Sequence, residues 1–370
     1  MNVRLKDIAR QAGVSEATVS RALSPSRSSM VRAETLARIR RIADALGYHH
    51  NPHAQALAIG RSAVVSLVVA YTEDYMMNVK ALRLHSALLD AGLQAQIIPA
   101  QSLQDLGSAE KIAASLLLSA PMAVAIRSLA TNWHLELLED LCGILWDRGV
   151  YTLIADHHQL PSDAVPADAI STDRVRAAEA AVSHLLKLGH RCIGLLASAD
   201  QTFGRIVGYR RALDEHGISE RYEQPIDQYV EYAPERPYLS QAVQAGYLAA
   251  QDLLRRCPEV TALFCGSDLV AIGAMRGLAN VGLSVPADVA IVGFNDEPWC
   301  SHLPVPLTTI GQPVEQLSAR AAEMLRARLA GDDSPWRREL VPMPLIVRES
   351  CGQGLVGPRR WPVQEAVESS

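Results

Sequence analysis

The sequence predicts an all-α head joined to a larger α/β body that is made of two doubly wound parallel-sheet lobes. The chain has 370 residues, which is more than one ordinary domain needs. Apolar residues recur at helical spacing up to residue 46, and continuous apolar segments alternate with helical ones from residue 62 onwards. Hydrophobic residues make up 49 % and charged residues 20 %, which favours a folded chain over a disordered one.

The head is predicted to contain three helices. The first, LKDIARQA, is followed by Gly13, which suits the positive φ of a helix end. Ser15 is a typical N-cap for the second helix, EATVSRAL, and a longer amphipathic helix spans residues 31–48. The residues expected to pack between the helices are Leu5, Ile8, Ala9, Ala12, Ala17, Val19, Leu23, Leu36, Ile39, Ala43 and Leu46.

Charge is distributed unevenly between the head and the body. Residues 1–62 hold ten Lys or Arg and four acidic residues, so this segment carries +6, whereas the remainder carries −11. A basic head on an acidic body predicts that the head binds a polyanion. The alternative interpretation is a solvated basic surface without a partner.

Two helices joined by a glycine-containing turn, on a basic surface, form a helix-turn-helix arrangement. The second helix of such a pair is narrow enough to enter the major groove of double-stranded DNA. Arg21 has the donors to bind guanine, and Glu16 can accept a hydrogen bond from cytosine. The residues of this helix predicted to contact DNA are Ser15, Glu16, Ala17, Thr18, Ser20 and Arg21.

The segments LKDIARQAGVSEATVSRAL (5–23) and ALGYHHNPHAQAL (45–57) closely resemble the head of the LacI/GalR family of bacterial transcription repressors. In that family a hinge helix follows the head and inserts a leucine into the minor groove. The resemblance implies DNA contacts for Asn51, Ala54 and Leu57, with Leu57 as the inserted side chain. Core packing is the alternative role for Leu57. The sequence departs from the family at Asn51-Pro52, where the usual order is reversed, and at Gln55, where many members have Arg.

The histidines and cysteines do not form a recognisable metal site. His49, His50 and His53 have helical spacing, but no cysteine or carboxylate lies beside them, so we expect them near phosphates or in solvent. The six cysteines are scattered without a CxxC pair, which predicts reduced thiols. No metal and no cofactor are expected.

The body begins near Ser62 with alternating strands and helices, a pattern typical of parallel sheets that are covered on both faces. Two series of about 120 residues each predict two lobes with a cleft between them. The strands expected in the first lobe are 63–70, 94–99, 122–127 and 151–155, and those in the second are 192–197, 225–230, 261–266 and 289–294.

The body also resembles the effector domain of the LacI/GalR family, a fold of periplasmic-binding-protein type. The segments that carry this resemblance are HLLKLGHRCIGLLA (184–197), RIVGYRRAL (205–213), TALFCGSDLVAIGAM (261–275) and VAIVGFNDEPWCSHLPVPLTTI (289–310). It implies a homodimer that binds a pseudo-palindromic operator and a small carbohydrate effector. The predicted domains are a helix-turn-helix head at 1–48, a hinge helix and linker at 49–62, a two-lobed effector-binding and dimerisation domain at 63–348, and a flexible tail at 349–370.

The resemblance further implies which residues bind the effector, and it places them at the carboxyl ends of strands, where open α/β sheets bind ligands. Arg205 would donate to the effector, and Asp156, Ser267 and Asn295 would complete the polar set. An aromatic ring would stack on the apolar face of a sugar. The candidate rings are Tyr71, Tyr75, Trp133, Tyr232 and Phe264.

Alternative roles remain open for several of these residues. Arg205 is alternatively a surface ion-pair partner, and Asp156 and Asn295 are alternatively caps of the turns that follow them. Phe264 is alternatively a core residue. Asp268 is predicted to cap the helix that follows it and not to contact the effector.

These observations predict a sequence-specific DNA-binding transcriptional regulator, a repressor whose operator affinity a sugar-like effector controls. One alternative is a regulator that needs a nucleobase or another non-sugar co-repressor, and a second, of a different class, is the solute-binding protein of a transporter. The N-terminus MNVRLKDIAR lacks the apolar run of a signal peptide, and the apolar stretch 112–126 is too short to span a bilayer, so a cytoplasmic location is expected. GQGLVG (352–357) lacks the strand-then-helix context of a nucleotide site, and no motif supports an enzyme.

Overall fold

The structure of this protein is a computed structural model that describes residues 5–23, 30–46, 64–70, 74–104, 106–127, 135–198, 203–230 and 238–354. The chain divides into two compact units, Met1–Ala63 and Val64–Ser370. Each unit is described by itself below. Within the described residues, no helix is both long enough and apolar enough to cross a membrane.

The first unit contains the three predicted helices, α1 (Leu5–Ala12), α2 (Glu16–Leu23) and α3 (Ala33–Ala45). Gly13 has a φ of +64°, as the turn after α1 requires. Ala17 is exposed and Ala22 is buried in its place, because Ala17 lies two residues from Val19 and therefore faces nearly the opposite side of the helix. The buried core consists of Ile8, Ala9, Ala12, Val19, Ala22, Ile39 and Ala43.

The second unit contains twelve strands, nine α-helices and three short 3₁₀ segments within the described residues. In chain order the α-helices and strands are β1 (Val64–Val69), α4 (Tyr75–Asp90), β2 (Gln94–Pro99), α5 (Gln101–Gln104), α6 (Ala109–Leu117), β3 (Ala123–Arg127), α7 (Leu135–Asp147), β4 (Tyr151–Ala155), β5 (Asp168–Thr172), α8 (Arg174–Lys187), β6 (Ile193–Ala197), α9 (Phe203–Glu215), β7 (Tyr222–Pro225), α10 (Tyr238–Arg256), β8 (Ala262–Cys265), α11 (Asp268–Asn280), β9 (Ala290–Asn295), β10 (Thr308–Gly311), α12 (Val314–Leu329), β11 (Arg338–Val341) and β12 (Leu345–Ile346). The 3₁₀ segments are Asp227–Tyr229, Pro298–Ser301 and Glu349–Cys351.

These strands form two six-stranded sheets, one in each lobe. The first sheet has the order β11-β5-β4-β3-β1-β2 and is parallel throughout. The second has the order β12-β10-β9-β8-β6-β7 and is parallel except for the antiparallel edge strand β12. The predicted fold class of two doubly wound lobes is therefore confirmed.

Both faces of each sheet are buried, which explains the continuous apolar strands. In β1, Leu67 packs in the cluster that contains Leu84 of α4, whereas the next residue, Val68, packs with Ile112 of α6. Successive side chains of a strand point to opposite faces, so every residue of such a strand meets a helix layer. The second sheet is covered in the same way, by α8 and α9 on one face and by α10 and α11 on the other.

The chain crosses between the lobes three times among the described residues. It passes from β5 to α8, returns from β10 to α12, and passes again from β11 to β12. The second crossing contains Gln312 and Pro313, which directly precede α12. These crossings place residues that are far apart in sequence beside the carboxyl ends of β3, β4 and β9.

Two predictions about the body are wrong. The strand predicted at 225–230 is instead β7, Tyr222–Pro225, followed by the 3₁₀ segment Asp227–Tyr229, because proline has no N–H to continue the ladder. The predicted start of the flexible tail, residue 349, is also too early, because Glu349–Cys351 form a 3₁₀ segment. Ser350 is buried, donates to the Ile291 carbonyl at 2.7 Å and accepts from the Thr308 amide at 2.8 Å.

Candidate functional site

The outer face of α2 in the head carries the predicted DNA-contacting residues. The Ser15 Oγ accepts from the Thr18 amide at 3.2 Å and lies 2.9 Å from the Thr18 hydroxyl, so the predicted N-cap is confirmed. Val19 and Ala22 turn into the core. Five of the six predicted residues are exposed and Thr18 is half-buried; the exposed ones are Ser15, Glu16, Ala17, Ser20 and Arg21.

Several predicted site residues lie outside the described ranges, so nothing is said of their structure. In the hinge these are Asn51, Ala54 and Leu57, with His49, His50 and His53 beside them. In the body they are the candidate rings Tyr71, Trp133 and Tyr232.

In the first lobe, the predicted residue Asp156 is surrounded by cations. It follows β4 with a φ of +59°, a conformation that the short Asp side chain tolerates. Its Oδ1 lies 2.6 Å from Arg174 Nη2, and its Oδ2 lies 2.9 Å from Lys80 Nζ and 3.5 Å from Arg127 Nη2. Asp156 and Arg127 are each about 1 % exposed, so this is a buried cluster.

The pKa values in this cluster follow from burial and from the close charges. Burial disfavours the charged carboxylate, but the charges of Lys80, Arg174 and Arg127 outweigh it and lower the pKa of Asp156 well below its ordinary range. Burial, reinforced by the two arginines, lowers the pKa of Lys80 to about 8 in spite of Asp156. Burial also lowers the pKa of Arg127. One buried carboxylate is therefore shared by three cations, of which Arg127 is fully buried.

A pocket lies against this cluster. One side of it is formed by the carboxyl ends of β3, β4 and β5 with α4, and the other side by the second crossing and the start of α12. Its lining residues are Lys80, Leu84, Arg127, Asp156, Thr172, Gln312, Pro313, Val314, Leu317 and Ser318. The pocket thus combines buried cations with an apolar wall.

The second lobe contributes Asn295 and Arg205 near the same crossing. Asn295 ends β9 with a φ of +129°, and its Oδ1 accepts from Gln312 Nε2 at 2.9 Å. The Arg205 guanidinium lies 4.1 Å from the ring centroid of Phe294, the residue before Asn295. Arg205 lies on helix α9, however, and not at the end of a strand as expected.

The remaining predicted residues of the second lobe have structural roles in this fold. Phe264 is fully buried, with its ring centroid 6.5 Å from that of Phe294, so it is a core residue and offers no ring to a ligand. The predicted cap role of Asp268 is wrong, because Ser267 caps α11 through its Oγ, which accepts from the Val270 amide at 3.3 Å.

Asp268 instead belongs to a pair of buried carboxyls. It accepts from Thr309 Oγ1 at 2.6 Å and from the Glu297 amide at 2.9 Å. Burial raises the pKa of Asp268. Burial, followed by the charges of Asp268 and Asp74, raises the pKa of Glu297 to about 8, so Glu297 is largely neutral at pH 7.

An aromatic contact joins the two lobes. The ring centroids of Tyr75, at the start of α4, and Trp299, in a 3₁₀ segment of the second lobe, are 5.4 Å apart. Tyr75 was a candidate ring, and its side chain remains partly open to solvent. Trp299 was not predicted.

The sequence did not identify Lys80, Arg127 and Gln312, which line the pocket, or Arg174, which binds Asp156. Arg127 carried a usable signal, because it is a charged residue at the end of the apolar strand AVAIR. Lys80 and Arg174 lie in amphipathic helices, where a charged residue is ordinarily solvated. Among the described residues, no group of three or more His, Cys, Asp or Glu could hold a metal ion.

The chain matches two family models. Residues 4–51 match the model described as "Bacterial regulatory proteins, lacI family", and residues 182–351 match a periplasmic binding protein-like domain. Similar curated proteins include the HTH-type transcriptional regulators reg1 of Streptomyces lividans and MalR of Streptomyces coelicolor. Each is 32 % identical, over 95 % of this chain and 97 % of that protein.

Solved structures agree with these matches. The structure of a transcriptional regulator CelR–cellobiose complex is 26 % identical to this chain in sequence and has a TM-score of 0.62. The match covers 94 % of this chain and 99 % of the CelR chain. A lac repressor dimer bound to operator and the anti-inducer ONPF is 23 % identical with a TM-score of 0.71, over 95 % and 99 % of the two chains, which shows likeness of fold.

Proposed function

From the premise that this chain is a member of the LacI family of bacterial regulatory proteins, we propose that it is a transcriptional repressor under the control of a small carbohydrate-like effector. The membership rests on relatives that are 32 % identical over nearly the whole chain. The observation that carries the proposal is a pocket at the carboxyl ends of parallel strands in the body of a chain whose head exposes a polar helix face.

The proposed DNA interface is the exposed face of α2. Val19 and Ala22 anchor the helix to the core, so its opposite face is free to enter a major groove. Arg21 and Glu16 would contact base edges, while Ser15 and Ser20 would bind phosphates. Asn51, Ala54 and Leu57 remain proposed minor-groove contacts.

The proposed effector site lies between the lobes. Asp156 and Gln312 line the pocket, and Asn295 is joined to it through Gln312. Arg205 approaches from the second lobe beside Asn295, and Tyr75 is the described ring that remains a candidate for stacking on a sugar. The relative CelR is seen in complex with cellobiose, which supports a carbohydrate. Phe264, another candidate ring, is buried in the core and offers no face to a sugar or to a nucleobase.

The proposed mechanism is a change in lobe placement when an effector binds both lobes. Three crossings connect the lobes, and one of them, at Gln312, forms a wall of the pocket, so a ligand there contacts the link between the lobes directly. A coupling free energy of about 1–3 kcal/mol would change operator affinity roughly 5- to 150-fold. A homodimer would present two heads to a pseudo-palindromic operator.

The test is selection of DNA from a random pool by the purified full-length protein, with and without candidate sugars. We expect enrichment of a two-fold symmetric sequence, and we expect effector addition to change the affinity for it. An Arg21→Ala variant processed in parallel should lose the enrichment. Failure to enrich any sequence under either condition would contradict the proposal.

A further inference from the structure

The buried cluster around Asp156 contains more positive than negative charge. Arg174 is fully engaged: it donates to Asp156 Oδ1 at 2.6 Å and to Ser171 Oγ at 3.0 Å. The other carboxylate oxygen, Oδ2, is shared by Lys80 and Arg127. Asp74 is the further acidic group whose charge acts on Arg127. Three cations therefore face two carboxylates.

Arg127 is the least satisfied of these cations. Its Nη1 donates to the Met77 carbonyl at 2.9 Å, whereas the contacts of its Nη2 within the described part of the chain are the Met77 sulfur at 3.4 Å and Asp156 Oδ2 at 3.5 Å. Among the described residues, its Nε has no hydrogen-bond partner. A guanidinium carries five N–H donors, and burying a charge without a good counter-ion is costly. Such a group, 1 % exposed and lining a pocket, fits a site for an anion.

The opposite wall of the pocket adds a second positive element. The 16-residue helix α12 begins at Val314, and its N-cap residue, Pro313, provides no side-chain cap. The N-terminus of a helix carries a partial positive charge and offers N–H groups to anions. Since Val314 and Ser318 line the pocket across from Arg127, the helix start and the guanidinium share the same space.

The pocket also has a place for a neutral hydroxyl. Gln312 uses its Nε2 to donate to Asn295, while its Oε1 is buried and lacks a partner among the described residues. An amide oxygen accepts hydrogen bonds, so it matches a hydroxyl donor and repels an anion. Leu84, Val314 and Leu317 supply the apolar wall against which a sugar carbon skeleton can pack.

We propose that the effector is a carbohydrate that carries an anionic group, a phosphate or a carboxylate, which binds Arg127 and Lys80 while a hydroxyl of the same molecule donates to Gln312. This inference rests on the proposed function and specifies the chemical class of its effector. An anion beside Lys80 and Arg127 would supply the missing counter-charge, and binding would favour the protonated form of Lys80.

The test compares three sugars that share one ring and differ at C6: glucose, glucuronate and glucose 6-phosphate, with inorganic phosphate as a fourth probe. Binding to the full-length protein is measured by calorimetry and by the shift in melting temperature at fixed ionic strength. We expect an anionic probe to bind more tightly than glucose, and the two anionic sugars distinguish a carboxylate from a phosphate. In Arg127→Gln, affinity for that probe should fall about ten-fold or more, because a charged hydrogen bond is lost.

The matched control is Arg83→Gln, which removes an exposed arginine from the same lobe and should leave the affinity unchanged. If Arg127→Gln does not fold, Lys80→Gln takes its place in the same measurements. The proposal is overturned if no anionic probe binds the wild-type protein more tightly than it binds Arg127→Gln, or Lys80→Gln where that variant is used instead, or if glucose binds as tightly as its anionic counterparts. Operator binding without any probe is measured alongside, since its loss would indicate failure of the proposed function and not of this inference.

Discussion

The Nζ of Lys80 lies 2.9 Å from Oδ2 of Asp156, so a helix residue and the end of a strand 76 positions later in the chain form one buried ion pair. Arg174 binds the other carboxylate oxygen at 2.6 Å. Asp156 thereby joins α4, β4 and α8 at the point where the chain first crosses between the lobes. The cluster is both a structural link and a wall of the pocket.

Replacing Asp156 by Asn should strongly destabilise the protein. The change leaves the buried Arg127 and the partly buried Lys80 and Arg174 without their central counter-ion, and loss of one partner of a buried pair costs about 3–5 kcal/mol. Urea denaturation at pH 7 should show this as a lower unfolding midpoint. The exposed pair Arg210–Glu223 provides the control, because Glu223→Gln should change the free energy of unfolding by less than about 1 kcal/mol. If the two variants lost the same free energy of unfolding, Asp156 would not be the central counter-ion of the cluster.

Glu297 should make the protein less stable as the pH rises from about 5 to 8. Its pKa in the folded state is about 8, above the ordinary value of 4.5, so the folded state retains a proton that the unfolded state releases. The resulting loss is on the order of a few kcal/mol. Glu297→Gln should flatten the dependence and be more stable than the wild-type protein at pH 8.5. Thermal melts between about pH 5 and 8.5 measure this pH dependence, and Glu315→Gln, which changes an exposed carboxylate, is the control. If the melting temperature of Glu297→Gln depends on pH as steeply as that of the wild-type protein, Glu297 is not the group responsible.

Helices α10 and α11 pack so closely that a side chain at Gly273 should destabilise the protein. A Cβ on Gly273 would lie 2.0 Å from the Val243 carbonyl oxygen and 2.8 Å from the Tyr247 amide nitrogen, so the two helices would have to separate. Gly273→Ala should cost about 1–3 kcal/mol or more. A Cβ added to Gly143, in the middle of α7, would meet no atom of the described residues within 4 Å beyond its own helix backbone, so Gly143→Ala should stabilise by about 0.5–1 kcal/mol. Urea denaturation gives the free energy of unfolding of both variants. If both variants were more stable than the wild-type protein, or both less stable, the prediction would be wrong.

Arg21→Ala should weaken specific DNA binding without changing stability. The side chain is exposed on α2 and packs in no core cluster, so its removal affects only a partner. Loss of one bidentate base contact costs about 1–3 kcal/mol, which corresponds to roughly 5- to 150-fold in affinity. Fluorescence anisotropy with the DNA sequence enriched in the selection experiment measures the dissociation constant. Arg176→Ala, an exposed arginine of the body, is the control and should bind as the wild-type protein does.

Much of the fold follows from local patterns. The strand predicted at 63–70 is found at Val64–Val69, and that at 94–99 is found at Gln94–Pro99. Both are visible because buried parallel strands need apolar residues on both faces. β5 was missed because it begins with Asp168, a buried carboxylate that Arg328 and Arg337 hold at 3.1 and 2.6 Å from positions more than 150 residues away.

The candidate site likewise has features that local sequence predicts and features that only the tertiary structure decides. The Ser15 cap, the inward-facing Val19 of α2 and the position of Asp156 at the end of β4 depend on neighbouring residues, so the sequence alone was sufficient to predict them. The contacts of Lys80, Arg127 and Gln312 depend on three crossings between lobes that bring distant segments together. Burial at that meeting point changes their chemistry, because it removes the water that would otherwise solvate each charge. No local pattern carries that information, so only the folded chain shows which charges lack a counter-ion.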